Sequence, residues 1–480
     1  MVLWLAALTA LRLLVAFLVP LAPDEAYYWV WSRALQPGFL DHPPMVAFFI
    51  RAGTLLAGES AFGIRLAGPV TIAIASLLLA RAADSLFPAQ RPGAWAALLF
   101  NATLVVGLGG VLMTPDLPLL VFWCAALWAI ARLHATQDGR WWLAFGLFAG
   151  LALASKYTGV LLGVGALAWL AGSRAAWRWW RDGRLYAGGA IAIAVFAPVV
   201  LWNAAHGWAS FAKQGGRAAA GEGGFTLRYL GEFLGSQVGL ATPLVLVLAV
   251  AGTALAAAAW ARRGDAAGGL LAAFVLPGAL LFLWQATGSR VQGNWPAILY
   301  PAACLAAAAY APARLTSWRR PGVTVGLVMA GAIYLQAAFA PLPLPRRMDP
   351  TLARLGGWDA FAASVEAERG RLGAAFVAAE EYGLAAQLAL RLPPGVPVIA
   401  LGARWALFTL PPPPPGVTGL LVQSERRDSA PDWPAAEPVA REGGSLVRAR
   451  RGIEAERYRL FRVTTRPDLP PAALLPRREP

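Results

Sequence analysis

Apolar residues run through this chain in stretches long enough to cross a bilayer, and polar residues gather between them. A helix needs about 20 apolar residues to cross the hydrocarbon core. Runs of that order lie near 3–21, 62–87, 93–112, 117–135, 185–204, 238–260, 268–287, 295–312 and 321–341. The stretch 141–172 is too long for one crossing and is interrupted by Ser155-Lys156-Tyr157. Dividing it into two short helices brings the expected number of spans to about eleven. The first run lacks a basic leader and is followed by Asp24 and Glu25, so it reads as a retained helix and not a cleaved signal peptide.

The pattern changes after Pro341. From 342 to 480, short apolar runs alternate with amphipathic stretches and turn residues. Ala374–Ala379, Val396–Leu401 and Gly419–Gln423 read as strands, Leu384–Leu392 as a helix, and Arg457–Val463 as a half-buried strand. The expected organisation is a transmembrane domain over 1–341 and a small α/β domain over 342–480, with Pro411–Pro415 as a stiff connector.

Charge gives the spans a direction. Hydrophobic residues make up 58% of the chain and charged ones only 14%, against about 25% in soluble domains. The net charge of +15 lies in short loops between the runs. It forms no contiguous basic face, which argues against nucleic acid as a partner. Cytoplasmic loops are enriched in Lys and Arg. With the N-terminus inside, Arg91, Arg132, Arg140, Arg174, Arg178, Arg181, Arg184, Arg262, Arg263, Arg314, Arg319 and Arg320 all fall on the inside. Asp24, Glu25, Asp41, His42, Asp116, Lys156, the segment from His206 to Arg228 and the domain 342–480 fall on the outside. Only Lys156 and Lys213 are lysines, and Cys124 and Cys304 lie inside apolar runs, so no disulfide framework is implied.

Five polar motifs share the outer face. In Pro23-Asp24-Glu25-Ala26-Tyr27-Tyr28-Trp29 two acids meet an aromatic run. The plainer reading, an interfacial aromatic belt, does not call for the acids. In Asp41-His42-Pro43-Pro44 the prolines keep His42 out of a helix interior, where it suits phosphate binding, metal binding or proton transfer as well as a plain turn. Asp41 with His42 leaves room for a divalent metal, but two ligands are too few to specify one. Thr114-Pro115-Asp116 reads equally as a helix start capped by Asp116. Lys156 in Ser155-Lys156-Tyr157 either serves a site or snorkels to the surface. Arg290 and Asn294 precede the Trp295-Pro296 anchor. Together these residues suit an anionic amphiphile whose head is processed at the outer surface.

In this order the motifs resemble the GT-C glycosyltransferases of the protein O-mannosyltransferase and lipid A aminoarabinose transferase superfamily, over roughly residues 1–341 and more weakly over Tyr382–Arg404. The resemblance implies transfer of a sugar from a polyprenyl-phosphate carrier to a lipid, glycan or protein acceptor at the outer face of the inner (plasma) membrane. It implies a catalytic group of Asp24, as general base, with Glu25 and Asp116. It also implies a donor-phosphate and substrate group of Asp41, His42, Lys156, Tyr157, Arg290, Asn294 and Tyr28. His42 stands where the aminoarabinose branch carries lysine. Histidine is only partly charged near neutral pH, so Lys156 and Arg290 are expected to supply the fixed positive charge. Two other readings fit the same residues. A flippase of lipid-linked sugars would show related halves and midplane sites, which the sequence lacks. A non-catalytic assembly protein would work through 342–480 alone.

Overall fold

The computed structural model describes residues 1–219, 225–427, 429–441 and 444–478; residues 220–224, within the His206–Arg228 segment, lie outside them. Six helices among the described residues are long and apolar enough to cross a membrane: Ala61–Leu86, Asp116–Thr136, Gly183–Ala205, Pro243–Arg263, Ala266–Ala286 and Ala313–Phe339. Two bent pairs pass the same test together, Val2–Leu18 with Pro23–Arg33 at 89° and Tyr157–Gly172 with Arg174–Arg181 at 110°. Shorter apolar helices are Met45–Ala57, Trp141–Leu153 and Trp295–Tyr310. The chain is a polytopic α-helical membrane protein.

Two departures from the sequence reading have clear causes. The run 93–112 is not one span. Its helix Gly93–Asn101 stops where Thr103 donates to the Phe100 carbonyl (2.8 Å) and accepts the Val106 amide, starting a second helix, Leu104–Gly109. Hydroxyls that bond nearby backbone in this way favour caps over helix interiors. Met45–Ala57, in turn, is an apolar helix where the sequence reading placed no span. Its 13 residues fall short of a bilayer-spanning run.

The chain forms two compact units. One comprises Met1–Arg12, Asp41–Val46 and Gly68–Gly331, the other Leu13–Leu40, Ala47–Ala67 and Ala332–Pro480. In the first unit Asp116–Thr136 is the inner helix, with 78% of its apolar window buried against 17% for Gly183–Ala205. Ile193 and Leu201 on the latter are 72% and 69% exposed, an apolar surface suited to lipid and not to water. Helices in lipid gain little from the hydrophobic effect, so close backbone approach carries the packing. A Cβ on Gly146 would lie 1.9 Å from the Gly188 carbonyl oxygen, and one on Gly188 would lie 2.3 Å from that of Trp142. The helices Trp141–Leu153 and Gly183–Ala205 therefore pack at a distance that only glycine permits at these positions.

The second unit holds a seven-stranded sheet: β1 (Val377–Ala379), β2 (Val398–Leu401), β3 (Thr418–Ser424), β4 (Glu437–Pro438), β5 (Leu446–Arg450), β6 (Ile453–Thr464) and β7 (Ala472–Leu474). The order is β4-β6-β3-β1-β2-β7, with β5 also on β6; β1 is parallel to both neighbours and the remaining pairs are antiparallel. β1 and β2 are buried throughout, as centre strands covered on both faces are, and read as unbroken apolar runs. Phe376, Ile399, Leu421, Trp433, Phe461 and Val463 form the core of one face. The helices Trp358–Arg371 and Tyr382–Arg391 pack against strands of this sheet, and the latter also packs on Pro23–Arg33.

Replacing Gly146 by Leu should lower the thermal midpoint of the detergent-purified protein, by an overpacking cost of about 1–3 kcal/mol. Gly163→Leu, where a Cβ meets nothing within 4 Å, should change it by less than about 0.5 kcal/mol.

Candidate active site

The first acidic motif opens the helix Pro23–Arg33, and proline at the first helical position suits its fixed φ. Glu25 at the third position turns back and accepts the Ala22 amide at 2.9 Å. Its carboxylate is also gripped by Arg65, Nε to Oε1 at 2.6 Å and Nη2 to Oε2 at 2.5 Å. Arg65 donates further to the carbonyls of Val19 and Pro20, so it ties together both sides of the 89° break. Both residues are fully buried. The structure thus places Glu25, expected in the catalytic group, as a sealed carboxylate held by a guanidinium and a backbone amide, an arrangement that fixes the helix.

Asp24 points elsewhere. Its side chain is 35% exposed, accepts the Tyr382 hydroxyl at 2.8 Å and lies 3.5 Å from Arg354. The Tyr27 ring is 4.6 Å from that of Tyr382, and the Arg404 guanidinium lies 4.1 Å over Tyr382 and 5.3 Å over Tyr27. Arg404 also donates to the Tyr27 hydroxyl at 3.2 Å. Tyr28, nominated for substrate binding, is buried with its ring edge-on to Trp31 at 4.9 Å.

Beside Asp24 opens a cavity of about 340 Å³ whose lining includes Pro23, Arg354, Glu381, Tyr382, Arg404 and Arg427. Glu380 is taken up by Arg427 and the Asp432 amide, and Glu456 by Arg448 and Ser424. Burial, and then the negative charge of Glu456, push the Glu381 carboxyl above its ordinary range. None of Arg354, Tyr382 or Arg404 belongs to the sequence-nominated set. The weak likeness over Tyr382–Arg404 takes in Tyr382 and Arg404, whereas Arg354 lies outside it.

The remaining candidates lie in the first unit. Asp116 does not cap its own helix; it accepts Lys156 Nζ at 2.7 Å and Asn294 Nδ2 at 2.9 Å. Lys156 reaches it because Trp141–Leu153 ends in a short 3-10 turn, Tyr157–Gly159, before Val160–Gly172 begins. Gly159 makes the turn possible, since a Cβ there would lie 2.7 Å from the Ala152 carbonyl carbon. Tyr157 shares a 2.6 Å hydrogen bond with Ser210. Three residues on, Lys213 pairs with Asp41, whose carbonyl accepts the Gln214 amide. The Met45 amide, just past Asp41-His42-Pro43-Pro44, donates to the Ala154 carbonyl. Lys213 was absent from the nominated set, although its rarity singled it out. Arg290 is 78% exposed and pairs with Glu232 at 3.0 Å, whereas Lys156 and Lys213 pair with Asp116 and Asp41. Among the described residues no group of three or more His, Cys, Asp or Glu side chains is placed to hold a metal.

Residues 41–202 match the family model of dolichyl-phosphate-mannose-protein mannosyltransferases. The chain is 31% identical over 294 residues to a lipid A galacturonosyltransferase, RgtD, of Rhizobium johnstonii, covering 59% of each protein. It is 26% identical over 223 residues to an undecaprenyl phosphate-alpha-4-amino-4-deoxy-L-arabinose arabinosyl transferase of Pseudomonas fluorescens, covering 40% of this chain and 39% of that one. The matches thus span well under two thirds of either relative. The crystal structure of ArnT from Cupriavidus metallidurans bound to undecaprenyl phosphate superposes with a TM-score of 0.61 at 15% identity, over 96% of this chain and 98% of that one. The chain is thus similar in sequence to these transferases over part of its length, and it shares the fold of ArnT. The family match takes in Asp41, His42, Asp116, Lys156 and Tyr157 but begins beyond Asp24.

Arg65→Met should cost about 3–5 kcal/mol in unfolding free energy by leaving the Glu25 charge sealed and unpaired. Adding Glu25→Leu should recover part of the loss in a double-mutant cycle. Glu381 carries the opposite pH signature to a paired acid. Because its folded-state proton affinity is raised, its contribution to stability is full below the ordinary carboxylate value of about 4.3 and is lost as pH rises through the raised one. Glu381→Gln should flatten that decline in unfolding measured from pH 4 upward (roughly the range named).

Proposed function

We propose that the chain is a membrane glycosyltransferase that moves a sugar from a polyprenyl-phosphate carrier to a lipid acceptor of the lipid A kind. The names of the two relatives support this reading, one a lipid A glycosyltransferase and the other acting from undecaprenyl phosphate. The observation that carries it is the contrast within one dipeptide: Glu25 is sealed, whereas Asp24 is partly open and held by Tyr382 and Arg354, two residues that line the neighbouring cavity. A carboxylate so held is a suitable general base. Asp24 takes the proton of the acceptor hydroxyl as its oxygen bonds to the anomeric carbon. The bond from that carbon to the carrier phosphate breaks, and the phosphate leaves with the electron pair. Direct displacement inverts the anomeric configuration. Lys156 and Lys213 are the cations assigned to the phosphate charge that develops, each now paired with an aspartate.

In this reading about eleven spans cross the inner membrane, with the arginine-bearing loops in the cytoplasm. The chemistry and the domain 342–480 lie on the extracytoplasmic face. The sugars named for the two relatives differ in charge, a uronic acid against an amino sugar.

The test is purified full-length protein in liposomes with a panel of labelled polyprenyl-phosphate sugars and lipid acceptor. Asp24→Asn should lower kcat by about 10²–10⁴-fold at unchanged expression, and Lys156→Gln should raise KM for the donor. Equal transfer by Asp24→Asn removes Asp24 as base. Movement of the lipid-linked sugar across the bilayer without transfer would assign the chain to transport instead.

A further inference from the structure

The helix Tyr157–Gly172 does not run out into an ordinary loop. At Ser173 the chain turns by 110° and continues as Arg174–Arg181, a 3-10 helix of eight residues. Such a helix has three residues per turn, so residues i and i+3 lie one above the other, and runs beyond three or four residues are uncommon. The sequence fills its three ridges unequally. Ser173, Ala176 and Trp179 form a buried ridge, with Trp179 edge-on to Trp142 at 6.3 Å. Arg174, Trp177 and Trp180 form a second ridge, Ala175, Arg178 and Arg181 a third, and both are exposed. Trp177 and Trp180 expose 52% and 38% of their surface. Two open indoles on one ridge suit the headgroup depth of a bilayer, where tryptophan is enriched. A segment at 110° to a membrane-crossing helix runs close to the membrane plane, so the whole ridge can lie at that depth.

The charges beside the indoles are unanswered within the protein. Among the described residues no carboxylate pairs with Arg174, Arg178 or Arg181. Arg178 lies over Trp179 at 4.2 Å and donates to the Gln137 carbonyl at 3.1 Å, which joins this patch to the loop after Asp116–Thr136. The acids nearby are used on backbone: Asp138 accepts the Arg140 amide and Asp182 the Arg184 amide, each at 2.9 Å. Arg184 lies 3.9 Å from Asp138. Clusters of four or more basic residues directly beside a crossing helix attract anionic headgroups, by about fivefold for each residue. The guanidinium fork also matches phosphate in two-point contact. An acidic peptide would answer these charges but offer the tryptophan ridge no hydrocarbon; a phospholipid answers both.

We infer that Arg174–Arg181 is a headgroup site for an anionic phospholipid, its phosphate on Arg174, Arg178 and Arg181 and its upper acyl chains against Trp177 and Trp180. Nothing in this site depends on the chemistry assigned to Asp24 or on the sugar transferred.

The test is lipid binding to the purified full-length protein in detergent, read by native mass spectrometry. The probes are phosphatidylglycerol and phosphatidylcholine with identical acyl chains. Phosphatidylglycerol should bind at least about tenfold more tightly than phosphatidylcholine. The pair Arg174→Gln with Arg181→Gln removes two exposed side chains. It should lower the affinity for phosphatidylglycerol by about tenfold while leaving phosphatidylcholine within about twofold. The thermal midpoint of the lipid-free protein should not move. On the unaltered protein, raising the ionic strength to about 1 M, where the screening length falls to about 3 Å, should shrink the preference. Millimolar inorganic phosphate should leave the lipid bound, since it has no acyl chains for the indoles. Equal binding of the two lipids, a preference that ignores salt, or one that survives the glutamine pair would overturn the inference. Displacement of phosphatidylglycerol by inorganic phosphate at equal concentration would assign the arginines to a free anion and overturn it too. Displacement by a polyglutamate peptide at equal concentration would do the same in favour of an acidic protein partner.

Discussion

A carboxylate sealed from water must be met by a cation, and the pair of Glu25 with Arg65 is where this chain meets that demand. Breaking such a pair is costly in a way that breaking a surface pair is not. Because Arg65 also holds the Val19 and Pro20 carbonyls, the pair sets the 89° turn from which the helix Pro23–Arg33 departs. The position of Asp24 follows from that departure. So does the packing of the helix on Tyr382–Arg391, where Gly383 leaves room for Pro23 and Gln387 donates to the Leu21 carbonyl at 2.9 Å. A single buried charge thus orients an open one beside it.

The first unit uses the same rule with a different outcome. Lys156 with Asp116 and Lys213 with Asp41 are mostly shielded, with side-chain exposures of 8%, 16%, 24% and 13%. They are not sealed as Glu25 is. Polar side chains inside membrane-spanning structure pair with one another or line a cavity, and a pair that retains some exposure can exchange its partner for a ligand. The 3-10 turn at Tyr157–Gly159 is what lets Lys156 stand at a helix break rather than on a continuous apolar face.

Much of this was legible in the sequence, and for a physical reason. Motifs such as Asp24-Glu25, Asp116 and Ser155-Lys156-Tyr157 interrupt apolar runs, and interruptions at bilayer depth are costly enough to mean something. The helix break falls at Ser155-Lys156-Tyr157, and the strands Val398–Leu401 and Ile453–Thr464 overlap the runs Val396–Leu401 and Arg457–Val463 that the pattern marked. What escaped was partnership. Nothing local marks Arg65 as the mate of Glu25, 40 residues away, although an arginine between Ile64 and Leu66 should have pointed to a buried acid. Arg290 looked equal to Lys156 until Glu232 was seen to hold it. Thr103 broke the run at 93–112 through hydrogen bonds that its composition does not reveal.

Arginine has displaced lysine almost everywhere in this chain, and the two lysines that remain both sit on candidate-site aspartates. Guanidinium groups do not react with amine-directed reagents at neutral pH, whereas lysine ammonium groups in equilibrium with free amine do. The protein therefore carries a built-in chemical address. Lys156 and Lys213 are the side-chain amines of this sequence, and Lys213, the more exposed at 24% against 8%, is the one that an acylating or reductively methylating reagent reaches first, so a covalent reporter can be set beside Asp41.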